Sequence, residues 1–177
     1  MASFEVNGQP VTVHQNEQTP LIDALRNELG LRATRLGCGL GQCGACHVMV
    51  DGQSVPACDT PLWAVQDKQV MTVESAKDPQ QDAARKVLRE LQDAFVQEQA
   101  AQCGFCTSGI LMSATVLLQQ HAEPSLAQIH SALDRHLCRC GAHLRIVRAI
   151  QRASRAVREE VTACAPTQSP HLFCLPV

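Results

Sequence analysis

The sequence predicts an α+β chain. A small sheet unit over residues 1–75 is followed by a helical unit over 76–161 and an irregular tail over 162–177. Three observations predict this. Two tight-turn dipeptides, Asn7-Gly8 and Asp51-Gly52, each separate short runs of strand-type residues, and both fall in the first part. Composition changes across Glu74–Pro79, after which apolar residues recur at three- and four-residue intervals instead of alternating. Ten cysteines are present, and eight fall into two spaced groups, one in each part.

In the first part, Phe4-Glu5-Val6-Asn7 and Val11-Thr12-Val13 form a hairpin through Asn7-Gly8. Thr19-Pro20 opens a helix, with Thr19 as N-cap and Pro20 at the first helical position. Leu21, Leu25 and Leu29 share one face of it, and Gly30 ends it. A glycine-rich stretch follows, then a second hairpin from His47-Val48-Met49-Val50 and Gln53-Ser54-Val55, and a last strand, Val70-Met71-Thr72-Val73. Hairpin, helix, loop, hairpin and closing strand describe a β-grasp, ferredoxin-like domain.

Four helices follow. The first starts at Pro79 and carries Ala84, Val87, Leu88, Leu91, Ala94 and Phe95. The second carries Ile110, Leu111, Ala114, Leu117 and Leu118. The third opens with a capping box, Ser125 with Gln128, and carries Leu126, Ile129 and Leu133. The fourth carries Ile146, Val147, Ile150, Ala153 and Val157. Four amphipathic helices with short joins read as a four-helix bundle. Opposite the apolar face of the fourth, Arg145, Arg148, Arg152 and Arg155 form a stripe. It reads as a solvated face, with contact to an acidic partner as the sharper reading. Nucleic acid is not expected at a net charge of −2.

The chemistry lies in the cysteines. Cys38, Cys43, Cys46 and Cys58 are spaced C-x4-C-x2-C with a fourth Cys further on, the plant-type spacing for a 2Fe–2S cluster. Two irons bridged by two sulfides require four thiolates. Gly37, Gly39, Gly41 and Gly44 allow close backbone approach, so that peptide N–H groups can point at the sulfurs. Zinc is the competing reading, but its ligands usually come as two short C-x2–4-C units. His47 follows Cys46 and reads as a strand residue without a ligand role. The second set is Cys103, Cys106, Cys138 and Cys140, two from each of two helix corners. Helix N-termini favour the thiolate. Taken alone this set also fits zinc; beside the first set, a second cluster makes sense as the other half of an electron relay.

Ten cysteines without a signal sequence argue against a disulfide framework. Met1-Ala2-Ser3-Phe4-Glu5 has neither a basic segment nor an apolar one, and no 18-residue apolar run occurs, so neither secretion nor a membrane span is expected. No Ser/His/Asp or HExxH-type constellation appears, so a catalytic centre in this chain is not expected. Cys164 and Cys174, in the tail, receive no role.

Gly37-Cys38-Gly39-Leu40-Gly41-Gln42-Cys43-Gly44-Ala45-Cys46 with Asp51-Gly52 and Cys58, then Gln102-Cys103-Gly104-Phe105-Cys106 and Leu137-Cys138-Arg139-Cys140-Gly141, resembles the small iron–sulfur subunit of the molybdenum hydroxylases, the xanthine oxidase group, over roughly residues 3–157. The resemblance implies two 2Fe–2S clusters, the first toward an outer acceptor and the second near a molybdopterin, as the cytosine dinucleotide, in a separate large subunit. It implies that Gln102 reaches the pterin and that Cys140 is the ligand nearest its edge; otherwise Gln102 reads as a solvent-facing helix residue. It implies a further FAD-binding or cytochrome subunit, and a cytoplasmic location unless a partner's signal carries the complex to the periplasm. The large subunit would hydroxylate an N-heterocycle or an aldehyde with water, while this chain carries the electrons. Asp59-Thr60-Pro61-Leu62-Trp63 and Gly141-Ala142-His143 look most like the subunits of N-heterocycle or aldehyde oxidoreductases. A zinc-binding interaction module and a free-standing ferredoxin-like carrier are the rival readings; the second leaves Cys103 to Cys140 without a purpose.

Overall fold

The computed structural model describes residues 1–77 and 82–163. Strands β1 (Ala2–Val6) and β2 (Gln9–Val13) pair antiparallel from Ala2↔Val13 to Val6↔Gln9. Strands β3 (His47–Val50) and β4 (Gln53–Pro56) do the same from His47↔Pro56 to Val50↔Gln53. Both turn pairs have positive φ, 52° and 82° at Asn7-Gly8 and 45° and 78° at Asp51-Gly52, as a type I′ turn requires. Strand β5 (Gln69–Met71) lies parallel to β1 and antiparallel to β3, giving the order β2-β1-β5-β3-β4. The parallel central pair makes this a β-grasp sheet. Asn7 locks the join: its Nδ2 donates to Thr72 Oγ1 at 3.0 Å and its Oδ1 accepts from the Thr72 N–H at 2.8 Å.

The first helix departs from expectation. It begins at Leu21, not at Pro20: α1 (Leu21–Asp23) runs on into a π-helical stretch, Ala24–Glu28. Pro20 stays extended (ψ 140°) and makes an antiparallel bridge to Pro61, while the Leu21 N–H bonds to Thr60 O at 2.7 Å. Tertiary pairing therefore takes the place of the expected Thr19 cap. Leu21, Ile22 and Leu25 are fully buried.

Helix α2 (Ala83–Gln97) is capped by Asp82, whose side chain accepts from the Arg85 N–H at 2.8 Å. The expected start at Pro79 falls outside the described residues; the helix begins at Ala83 because Asp82 supplies the cap. The apolar residues expected on its inner face, Ala84 through Phe95, are all buried. Helix α3 (Thr107–Gln120) is not amphipathic. It is buried without interruption from Ser108 to Leu118, because β3, β4, α2 and α4 surround it. Helix α4 (Leu126–Leu133) carries the capping box as expected, and Ile129 and Leu133 point inward, but Leu126, in its first turn, is exposed. Helix α5 (His143–Ala163) packs along α2 through Ile146, Ala149, Ile150 and Ala153. On its outer face Arg152 pairs with Glu98 at 2.7 Å. Cys164 and Cys174 lie outside the described residues. No helix among those residues is long and apolar enough to cross a membrane.

The sheet is shared by two cores. All four residues of β3 are buried. Val48 and Val50 pack with Leu21, Ile22 and Leu25, whereas Met49, with Met71 of β5, packs into the cluster built from α2, α3, α4 and α5.

Candidate metal centres

Cys38, Cys43 and Cys46 lie on the loop that enters β3, and Cys58 follows β4, so the second hairpin returns the fourth thiol to the first three. The loop turns its N–H groups onto sulfur. Leu40 N–H and Gln42 N–H donate to Cys38 Sγ, Cys38 N–H to Cys43 Sγ, and Gly41 N–H to Cys58 Sγ, each at 3.3 Å. Glycine is required in this cradle. A Cβ on Gly37 would lie 2.5 Å from Cys43 Sγ, and Gly41 holds a φ of +67°. The N–H groups of Leu40 and Gln42 draw the Cys38 thiol down to about 7, while burial, opposed by the Cys58 N–H, pushes Cys46 up to about 12.

In the second set, Cys103 and Cys106 precede α3, with Cys106 as its N-cap, and Cys138 and Cys140 occupy the join between α4 and α5. Phe105 N–H, together with Cys140, lowers the Cys103 thiol. Burial raises Cys138, but N–H groups of Ala142, Cys140 and Gly141 outweigh it and the net shift is downward. Cys106 corrects the expectation from helix position. Despite its place at a helix N-terminus, burial and the neighbouring Cys138 push it up to about 12. Gln102 is exposed, and its Nε2 donates to Cys140 O at 3.4 Å, at the edge of this set.

The thiols of each set stand close enough to act on one another. Cys46 feels Cys58 and Cys43, Cys103 feels Cys140 and Cys138, and Cys106 feels Cys138 and Cys103. Among the described residues no three His, Cys, Asp or Glu side chains converge on one point that a single ion could fill. A tetrahedral zinc needs four sulfurs around one point, whereas two bridged irons need two thiolates each. The donor set and its N–H cradle fit the binuclear group.

The two sets are joined directly. Leu137 N–H, one residue before Cys138, donates to Cys43 O at 3.1 Å. A Cβ on Gly109 of α3 would meet Gly44 O at 1.9 Å, so helix and loop touch backbone to backbone. A buried polar group lies at this junction. Ser113 Oγ sits 2.8 Å from His136 Nε2, 2.7 Å from Ser54 Oγ and 3.1 Å from His47 Nδ1. His47 is a strand residue, as expected, but its partnership with Ser113 and His136 has no local signal, since the partners are 66 and 89 residues away along the chain. A mid-helix serine in an apolar run was the one available hint.

Large apolar side chains are exposed near both sets. Phe105, Leu137 and Leu144 flank the second, with Leu137 67% and Leu144 76% exposed; Leu36 and Leu40 flank Cys38, and Trp63 is 56% exposed five residues after Cys58.

Known proteins agree with this geometry. Residues 4–88 match the family described as 2Fe-2S iron-sulfur cluster binding domain, and residues 72–151 match the one described as 2Fe-2S binding domain. The chain is 43% identical to a nicotinate dehydrogenase subunit of Pseudomonas putida, over 89% of this chain and 96% of that one. It is 45% identical to the alpha subunit of isoquinoline 1-oxidoreductase of Brevundimonas diminuta, over 88% and 98%. The crystal structure of quinoline 2-oxidoreductase from Pseudomonas putida matches with a TM-score of 0.78 at 32% identity, covering 89% of this chain and 95% of that one. Cysteine spacing, N–H groups turned onto sulfur, fold and near-complete alignment converge, and the chain belongs to the iron–sulfur subunits of the molybdenum hydroxylases, the xanthine oxidase family.

Proposed function

We propose that Cys38, Cys43, Cys46 and Cys58 hold one 2Fe–2S cluster and Cys103, Cys106, Cys138 and Cys140 a second, with residues 1–75 and 76–161 as the two cluster-bearing parts. Membership of the family makes this chain an electron-transfer subunit. The finer reading is that it relays single electrons from the molybdopterin site of a large subunit to a flavin or cytochrome acceptor. When bound, each cluster supplies a centre that gains and loses one electron reversibly. The chain's own residues do the rest. Eight thiolates hold iron, N–H groups directed at sulfur set its electronic environment, and buried packing excludes water around Cys46, Cys58 and Cys106.

The large molybdopterin subunit docks over Cys103, Gln102 and Cys140, where Phe105, Leu137 and Leu144 offer apolar surface. Gln102 then turns its amide from the Cys140 carbonyl toward the pterin. The outer acceptor, FAD- or haem-bearing, meets the exposed Cys38 between Leu36 and Leu40. The substrate is an N-heterocycle hydroxylated with water, a choice supported by the nicotinate, isoquinoline and quinoline enzymes among the relatives. The complex works in the cytoplasm, or in the periplasm when a partner's signal carries it there.

The observation that carries this reading is the cradle of backbone N–H groups on the sulfurs of Cys38, Cys43 and Cys58, each at 3.3 Å. Anaerobic purification with metal analysis tests it. About four irons per chain and two distinguishable signals on reduction are expected. Stoichiometric zinc without visible absorption would reject it.

A further inference from the structure

The polar group at the junction is built, not incidental. His136 is 2% exposed and lies two residues before Cys138. Its Nε2 meets Ser113 Oγ at 2.8 Å, and its Nδ1 faces Gly44, where a Cβ would stand 2.3 Å away. The ring is therefore wedged between α3 and the loop that joins Cys43 to Cys46. His47, directly after Cys46, stands edge-on to it with ring centroids 4.8 Å apart, and its Nδ1 reaches Ser54 Oγ at 2.8 Å.

His47 Nε2 and His136 Nδ1 are buried without a partner among the described residues. His136 Nε2 and Ser113 Oγ share one hydrogen bond at 2.8 Å, His47 Nδ1 reaches both serine hydroxyls, and the two hydroxyls meet at 2.7 Å. The group ties β3, β4, α3 and the Cys138 loop to one hydroxyl.

Next to it runs the hydrogen bond from Leu137 N–H to Cys43 O. That contact joins a residue of one cysteine set to the neighbour of a residue of the other by one hydrogen bond. The Leu137 side chain is exposed, and the residue before it carries the buried ring, its own N–H bonded to Leu133 O at 2.8 Å. We propose that His136 and Ser113, backed by His47 and Ser54, are positioning residues for electron passage between the two cysteine sets, because they hold the Leu137 N–H on the Cys43 carbonyl. The inference rests on the two-cluster reading above. The transfer it serves moves one electron and makes or breaks no covalent bond.

The test uses the assembled enzyme carrying His136→Leu, which fills the space without a donor, and His136→Gln, which keeps an N–H near the Nε2 position. Ser113→Ala removes the hydroxyl alone and serves should His136→Leu not assemble. Three quantities are read: exchange of the Leu137 amide, the magnetic dipolar splitting between the two reduced centres, and the rate of electron equilibration between them. In His136→Leu and Ser113→Ala, Leu137 exchange rises about tenfold, the loss of roughly one hydrogen bond. The splitting changes and equilibration slows several-fold, while His136→Gln retains wild-type values. Unchanged exchange, splitting and rate, with only a lower melting temperature, would overturn the proposal and reduce the group to packing. Failure of the cluster reading looks different, since the wild-type enzyme itself would then lack two reduced signals.

Discussion

Cys43 is the residue through which the first cysteine set meets the second. Its sulfur accepts the Cys38 N–H, its carbonyl accepts the Leu137 N–H, and its neighbour Gly44 touches both His136 and α3. Cys43→Ser replaces a soft thiolate with a poorly ligating hydroxyl. It should abolish the first cluster and spare the second. Iron analysis then gives about half the wild-type content, and one of two reduced signals disappears; retention of both signals would reject the ligand assignment. Gln102→Ala should leave both signals intact and slow reduction of the clusters by substrate in a single turnover, with an unchanged rate counting against the pterin contact. At this scale the cysteines and glycines were legible, because cluster ligation imposes short spacings along the chain. Ser113 and His136 were not. Their meaning lies in partners 59 and 23 residues away from Ser113, and no spacing rule links them.

Local chemistry decided some elements and tertiary contact decided others. The two hairpins follow from Asn7-Gly8 and Asp51-Gly52, whose positive φ angles are what those residue pairs favour. The start of α4 follows from its capping box, in which Gln128 N–H donates to Ser125 Oγ at 3.3 Å and Ser125 N–H to Gln128 Oε1 at 2.8 Å. Ser125→Ala should cost about 1 kcal/mol, seen as a fall of roughly 2–4 °C in melting temperature. By contrast, the true start of α1 depends on Pro20 pairing with Pro61, a long-range event invisible to a capping rule. The all-round burial of α3 likewise depends on what surrounds it. That burial gives Gly109 a role no propensity scale would assign. A methyl there would stand 1.9 Å from Gly44 O and 3.0 Å from the Ala45 carbonyl carbon, both backbone atoms that cannot swing away. Gly109→Ala should therefore force α3 off the first cysteine loop, at a cost of about 3 kcal/mol. Thermal denaturation would show it, and a variant as stable as wild type would mean that the contact is looser than the geometry requires.

Over the whole molecule, the two parts read from composition are tied more closely than a linker between them suggests. One face of the sheet packs on α1 and the other on the helices, so β3 has no solvent-facing side. Met49 and Met71 leave the sheet to join the helical core, and the junction adds the Leu137–Cys43 bond and the Ser113 group. Removing the helical part would expose these two methionines and strand His47 and Ser54 without Ser113. Burying each methionine contributes about 1.5–3 kcal/mol, a large fraction of the stability expected of a chain this size. The chain should therefore unfold in one cooperative transition. Visible absorption, which follows the clusters, and far-ultraviolet circular dichroism, which follows the backbone, should give the same midpoint. Met49→Ala, costing about 2–4 kcal/mol, should shift both probes together. Two separated transitions, or a shift confined to one probe, would instead make the sheet and the helical bundle independent folding units that merely touch.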